Sequence, residues 1–530
     1  MTENIEKKSA PQNEVDAPTD RKRIALLNGV CGQADRLRIC GQVVDIPITE
    51  EQKAEAWDPF HGLPNSLVPS IRPMQDFTMR TVRRARLQLE LLDVHPTRFR
   101  QNRQEEYPII YSSEVFTSND DSFFAHSIDA EVPPGQYVVR VILRGIDSIR
   151  QSAADLAYIR NSDSLILKKD IPIGYGRVVV LPRSYTGFIL TSDIDQTFLD
   201  TPLHSSQGLM ETLFQTPEAK PAIPGLPEFY RQVQRMHDTR VPTMFISASP
   251  HFFRRTLSAV FDHYDIDITG LHLKYLMSTV DNILKKFGET IFNLNDFLSQ
   301  GISHSVERTL KFLGSSFQSL FDQIAYKTIT LLENRQMQPT EAREILMGDN
   351  TEGDYFIFTL YQFLLKGELT GRDLENYLYR LNFLDREALT RDHARRIVSL
   401  TEANLETHGP FNPVAHVWIH RSNPDVDQER MEELINNTLP DRLHERYEAN
   451  DPDIIHPLAC KHGGAGFALA AWDEGLINEE RLKPILHSMI GLYYKEEKID
   501  DRRLKRWIKE YPFRHNRSLS PAGLCDAVFN

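Results

Sequence analysis

The chain has few cysteines, no long apolar run and no excess of basic charge. Only Cys31, Cys40, Cys460 and Cys525 occur in 530 residues, and no two stand in a Cys-x-x-Cys spacing. This excludes a disulfide framework and a zinc knuckle and predicts free thiols. No stretch reaches the roughly 20 apolar residues that a bilayer-spanning helix needs. Met1 to Lys22 lacks the apolar core of a secretory leader, so the expected address is cytoplasmic, with export by another route left open. Sixty-one Lys and Arg against 74 Asp and Glu give a formal charge of −13, which argues against nucleic acid as a general partner. At 41% apolar residues the chain can bury a large core, and its length predicts about two to four domains.

Four regions follow from the residue pattern. Residues 1–22 are polar and aperiodic and are expected to form a disordered tail. Over 23–186 the apolar residues fall in short runs (Arg38 to Val44, Ala85 to Leu91, Tyr137 to Leu143, Arg177 to Pro182), which predicts an antiparallel β-sandwich-like domain. From Gly187 to about residue 430, short apolar strands alternate with long helical patterns, the layout of an α/β doubly wound parallel sheet. Its expected strands are Phe188 to Ser192, Pro242 to Ser247, Glu344 to Met347 and Val414 to His420, with helical inserts near 278–324 and 366–408. Residues 431–530 read as helical, completing or packing on that α/β domain.

The chemistry concentrates where the first three of those strands end in small or acidic residues, the ligand crevice of an open parallel sheet. Asp193 and Asp195, two apart after Phe188 to Ser192, suit a division of labour in which one carboxylate attacks phosphorus and the other carries the proton. Two anions facing an anionic phosphate require a hard divalent cation, and Mg²⁺ uses one or two carboxylates together with water and substrate oxygens. Gly348-Asp349-Asn350-Thr351-Glu352-Gly353-Asp354 supplies a second acidic cluster, with Asp349 completing the metal site and Asp354 as ligand or orienter. Ser247 is placed to bind a phosphate oxygen, and Lys327 to neutralise charge.

This ordered set resembles the haloacid dehalogenase (HAD) superfamily: Asp193-x-Asp195-x-Thr197, then Ser247, Lys327 and the Gly348-Asp349 to Asp354 cluster. Ile223-Pro224-Gly225-Leu226-Pro227, Ser247-Ala248-Ser249-Pro250, His272-Leu273-Lys274 and Gly348-Asp349-Asn350-Thr351-Glu352 look in addition like the actin-patch-type phosphatidate phosphatase catalytic domain. Gln196 stands where that family usually has an acid. The resemblance implies a HAD-like hydrolase domain with Mg²⁺ held by Asp193, Asp195 (through its backbone carbonyl), Asp349 and Asp354. It also implies catalysis by Asp193 and Asp195, phosphate binding by Thr197, Ser247 and Lys327, and hydrolysis of phosphatidate to diacylglycerol. A phospholipid substrate would bring the protein to a membrane surface as a peripheral contact. The residues themselves leave open a soluble phosphomonoester substrate, or a non-catalytic membrane or protein adaptor.

Overall fold

The computed structural model describes residues 20–147, 171–201, 212, 214–236, 240–274, 323–381, 389–449, 451–516 and 518–529. The tail expected over the first residues lies outside them up to residue 19. The helical segment expected over 278–324 lies outside them except for Gln323 and Ile324.

The N-terminal strands are β1 (Asp20–Leu27), β2 (Val30–Gln33), β3 (Leu37–Ile48), β4 (Trp57–Asp58), β5 (Leu63–Pro64) and β6 (Arg80–Thr81). They continue with β7 (Ala85–Leu92), β8 (Ile109–Ser112), β9 (Phe116–Thr117), β10 (Phe123–Ile128), β11 (Gly135–Ile146) and β12 (Ile171–Leu181). One sheet runs β1-β3-β10 with β6 also on β3; the other runs β2-β12-β11-β7-β8 with β9 on β7; β4 and β5 form a small hairpin. Alternate residues of both sheets, among them Leu27, Val43, Leu87, Leu89, Val139, Val141 and Val178, fill one buried core, as two stacked sheets require. The pairing is antiparallel except between β2 and β12, which run parallel. Phe99 is buried among Phe60, Tyr107 and Tyr175. It belongs to a separate buried cluster with Leu92, Val94 and Val138.

A six-stranded all-parallel sheet follows: β13 (Phe188–Ser192), β14 (Thr243–Pro250), β15 (Gly270–Lys274), β16 (Arg343–Asp349), β17 (Val414–His420) and β18 (Leu458–Cys460), in the order β15-β14-β13-β16-β17-β18. The order reverses direction between β13 and β16, so the crevice at their carboxyl ends is the place where an open parallel sheet binds ligands. Apart from a five-residue helix at Glu50–Ala54 in the N-terminal region, the described α-helices are α1 (Leu226–Val233), α2 (Arg254–His263), α3 (Gln323–Met337), α4 (Asp354–Leu365), α5 (Gly371–Arg380), α6 (Arg391–His408), α7 (Gln428–Thr438), α8 (Asp441–Glu448), α9 (Gly464–Asp473), α10 (Glu479–Ser488), α11 (Asp501–Glu510) and α12 (Pro521–Phe529).

Side-chain alternation along the strands decides which helices each face receives. Phe245, Ile345, Met347 and Trp418 pack with α1, α2 and α9 to α12. Ile246, Leu346, Val417 and Ile419 point the other way, into α3 to α8. Both faces are therefore covered. Gly225, at φ +83°, begins α1 hard against Gly464 at the start of α9, and a side chain on Gly464 would collide with the Gly225 backbone. The contact ties the C-terminal helices to the same core as α1.

The two regions meet through Cys31 and Leu181 packed on Ile189 and Met244, and through a buried ion pair, Arg255 to Asp76 at 2.7 Å. No described helix is long and apolar enough to cross a membrane.

Candidate active site

At the end of β13 the chain leaves the sheet but keeps one ladder bond, from the Asp193 amide to the Met347 carbonyl at 2.9 Å. It then turns tightly, with the amides of Phe198 and Leu199 donating to the Ile194 carbonyl at 2.8 and 2.9 Å. Gln196 adopts φ +57°, a left-handed conformation that costs a non-glycine residue about 1 kcal/mol. Two contacts hold it there: its side chain donates to the Thr201 carbonyl at 2.5 Å, and its own carbonyl lies 2.6 Å from His420 Nδ1. Burial pushes the His420 imidazole down to about 4, so near neutral pH it is uncharged and donates from Nδ1.

The turn points the two aspartates into different surroundings. Asp195 is held by three hydroxyls: Thr201 donates to Oδ1 at 2.8 Å, while Ser247 and Ser249 donate to Oδ2 at 2.9 and 2.7 Å. Ser247, expected on the phosphate, thus lies against Asp195, and its oxygen accepts the Ser249 amide at 3.0 Å. Asp193 enters an acidic cluster. Its Oδ1 is 2.8 Å from Lys327 Nζ, and that ammonium also lies 2.5 Å from Asp354 Oδ1 and 3.5 Å from Glu352 Oε2.

Asp354 folds back so that Oδ2 accepts the Asp349 amide at 3.1 Å. The absence of a Cβ on Gly348 permits this, because a side chain there would collide with Asp354. Asp349 Oδ1 accepts both the amide of Thr351, at 2.6 Å, and its hydroxyl. The Asn350 side chain donates to the carbonyls of Asn423 and Val426 at 2.7 and 2.6 Å, fixing the loop after β17 beside the cluster.

Four buried carboxylates therefore share one ammonium. Burial pushes the Asp193 and Asp349 carboxyls well above the ordinary range, and neighbouring carboxylates add to the push. Burial and the charges of Asp195 and Asp354 lift Glu352 to about 7 against the pull of Lys327. Burial alone would lower Lys327, but Asp193, Asp354, Glu352 and Asp349 outweigh it and hold the ammonium well above its usual value.

Asp193 Oδ2, Asp349 Oδ2 and Thr197 Oγ1 are buried and have no hydrogen-bond partner among the described residues. Ligand atoms of Asp193, Asp349 and Glu352 lie within 4.8 Å of one another. A buried, hard, all-oxygen donor set with unsatisfied lone pairs fits a divalent cation of the Mg²⁺ type.

Of the residues expected to hold a metal, Asp193 and Asp349 fall in one convergent group, which Glu352 joins. The Asp195 side chain accepts from three hydroxyls, the atom expected at the metal being its backbone carbonyl, and Asp354, expected as ligand or orienter, contacts Lys327 and the Asp349 amide. Glu352 stands within the quoted Gly348 to Asp354 stretch, and its three-residue offset from Asp349 was the available signal. Glu352→Gln is expected to raise the Mg²⁺ concentration for half-maximal phosphate release about 10-fold or more, measured by metal titration of initial rates.

No curated protein matches this chain. Among solved structures, one described as "Structure of PhoD" overlaps at 7% identity and TM-score 0.21, covering 50% of this chain and 40% of its own. A glycosyl hydrolase family 2 member from Bacteroides cellulosilyticus DSM 14838 overlaps at 8% identity and TM-score 0.25, covering 84% of this chain and 48% of its own. The chain thus spans less than half the length of either, and at these TM-scores neither defines the fold. Residues 188–300, which carry Asp193, Asp195, Thr197 and Ser247, match the model of the family described as "Phosphatidate phosphatase APP1, catalytic domain", the family that the motifs resemble.

Proposed function

We propose that this chain is a Mg²⁺-dependent phosphatase with a HAD-like, doubly wound catalytic domain that hydrolyses a phosphomonoester through an aspartyl-phosphate, with phosphatidate as substrate. The observation that carries the reading is the buried set of Asp193, Asp349, Glu352 and Lys327, with free carboxylate oxygens at the strand ends beside the switch in strand order.

Asp193, Asp349 and Glu352 would hold the cation, which supplies charge neutralisation to the substrate phosphate. Asp193 Oδ2, the carboxylate oxygen without a partner, attacks phosphorus. The ester P–O bond breaks, and the leaving alcohol takes a proton from Asp195. Asp195 then accepts a proton from water as its oxygen attacks the phosphoryl group, which frees Asp193 and inorganic phosphate. Thr201, Ser247 and Ser249 keep Asp195 oriented through both transfers, and turning one hydroxyl away makes room for its proton. Lys327 steadies the negative charge on the transferring group.

The test is phosphate release from dioctanoyl phosphatidate, glucose 6-phosphate and a nucleoside monophosphate, with Mg²⁺ and with chelator. Chelator-sensitive turnover with kcat/KM for dioctanoyl phosphatidate about 100-fold above the soluble esters supports the reading. Preference for a soluble ester moves the substrate, whereas liposome binding without turnover of any ester marks an adaptor.

A further inference from the structure

A second convergence of ligand atoms lies away from the acidic cluster, where the β4–β5 hairpin meets α2. His61 Nδ1 is 3.0 Å from Asp58 Oδ1 and 3.3 Å from Asp262 Oδ2, and one ligand atom from each residue falls within 4.8 Å of the others. The His61 side chain is 6% exposed, and its Nδ1, buried and aimed at both carboxylates, makes no hydrogen bond among the described residues.

A neutral imidazole whose lone pair faces two carboxylates is repelled, so positive charge belongs between them. A proton on Nδ1 lies in the ring plane and must aim at one oxygen to bond, so it can serve one carboxylate at a time. A cation does not need the nitrogen-to-oxygen line. Donors about 2.0–2.2 Å from a metal ion stand about 3.0–3.5 Å from one another, and the observed 3.0 and 3.3 Å fall in that range. The hairpin end is rigid before any ion arrives, because Asp58 Oδ1 accepts the amides of Phe60 and His61 at 2.9 and 2.8 Å. Arg177 is bonded to Asp267 at 2.7 Å and adds to Asp262 an attraction smaller than that of His61. Asp262, 44% exposed at its side chain, leaves an entry path and room for water ligands.

The geometry points to a second divalent-cation site, formed by Asp58, His61 and Asp262, that takes a borderline ion such as Zn²⁺ and clamps the β4–β5 hairpin to α2. One imidazole among the donors selects a transition metal over Mg²⁺. Because α2 follows the strand that carries Ser247 and Ser249, the ion secures from outside the element that positions Asp195.

The experiment uses the whole chain with Asp349→Asn and Glu352→Gln, which removes the active-site cluster, so its outcome does not depend on the proposed reaction. After dialysis against chelator, calorimetric titration with Zn²⁺ alone is expected to show one bound equivalent and a Zn²⁺-dependent rise in Tm. Adding Asp262→Asn or His61→Asn is expected to weaken binding about 10-fold or more and abolish the rise. Asp262→Asn, at the surface, tests the site without a core change. Unchanged Zn²⁺ affinity in both variants overturns the proposal. Absence of a bound equivalent before they are added does so too.

Discussion

Asp193→Asn is expected to reduce phosphate release by about 10⁴-fold or more, while the metal-free protein unfolds at an equal or higher temperature. The first effect follows from the nucleophile: an amide oxygen cannot form the phosphoryl bond that the carboxylate oxygen forms, and no other described carboxylate combines an unpartnered oxygen with contact to Lys327. The second follows from charge. Asp193, Asp349, Glu352 and Asp354 crowd one ammonium in a buried space, and burial with like charge already disfavours the ionised form of Asp193. Neutralising one member relieves that repulsion, the usual exchange of stability for activity. Steady-state phosphate release and a melting curve, both run with and without Mg²⁺, check the two halves. Undiminished turnover would remove Asp193 from its role.

Lys327→Met is expected to fail in both respects: a loss of about 10²–10³-fold in kcat, and a loss of about 3–5 kcal/mol of stability in the metal-free protein. The ammonium, 2% exposed, meets three carboxylates within 3.5 Å, and methionine fills its volume while leaving them uncompensated. The defect is pH-dependent in a defined direction. Glu352 has its folded value raised from 4.5 to about 7, so the stability linked to its proton is fully present below about pH 4.5 and is lost as pH rises through about 7. Without Lys327 the loss grows over that interval, and the variant is expected to melt closest to wild type at the acidic end. Urea unfolding across that pH range measures it. Equal defects at both ends would place the role of Lys327 outside the charge balance.

The strands were legible because buried parallel strands need apolar runs: Phe188 to Ser192 and Val414 to His420 coincide with β13 and β17. Where polar residues continue a ladder, the pattern ends early. Gly348 and Asp349 still pair with Ile419 and His420 through backbone alone, and β14 runs on past Ser247 to Pro250. The parallel pairing of β2 with β12 left no mark, since a four-residue strand carries no signal of direction. Within the site, residue types and order were readable but hydroxyl directions were not, and these turn Ser247 toward Asp195. Which carboxylate oxygens converge depends on Gly353 at φ +88° starting α4 and on the missing Cβ of Gly348, which set side-chain direction through the backbone.

The bond between His420 and the Gln196 carbonyl joins residues 224 apart in the chain. At roughly 5–20 residues per second, synthesis separates them by roughly 10–45 s. For that interval the loop bearing Asp193 and Asp195 has emerged without the histidine that holds it, and for the earlier part of it β13 has no β16 beside it. The N-terminal sheets are complete by Leu181 and meet the new strand through Cys31 and Leu181 against Ile189, before β14 pairs with it. The loop that carries both aspartates is thus closed late, only once β17 has been made.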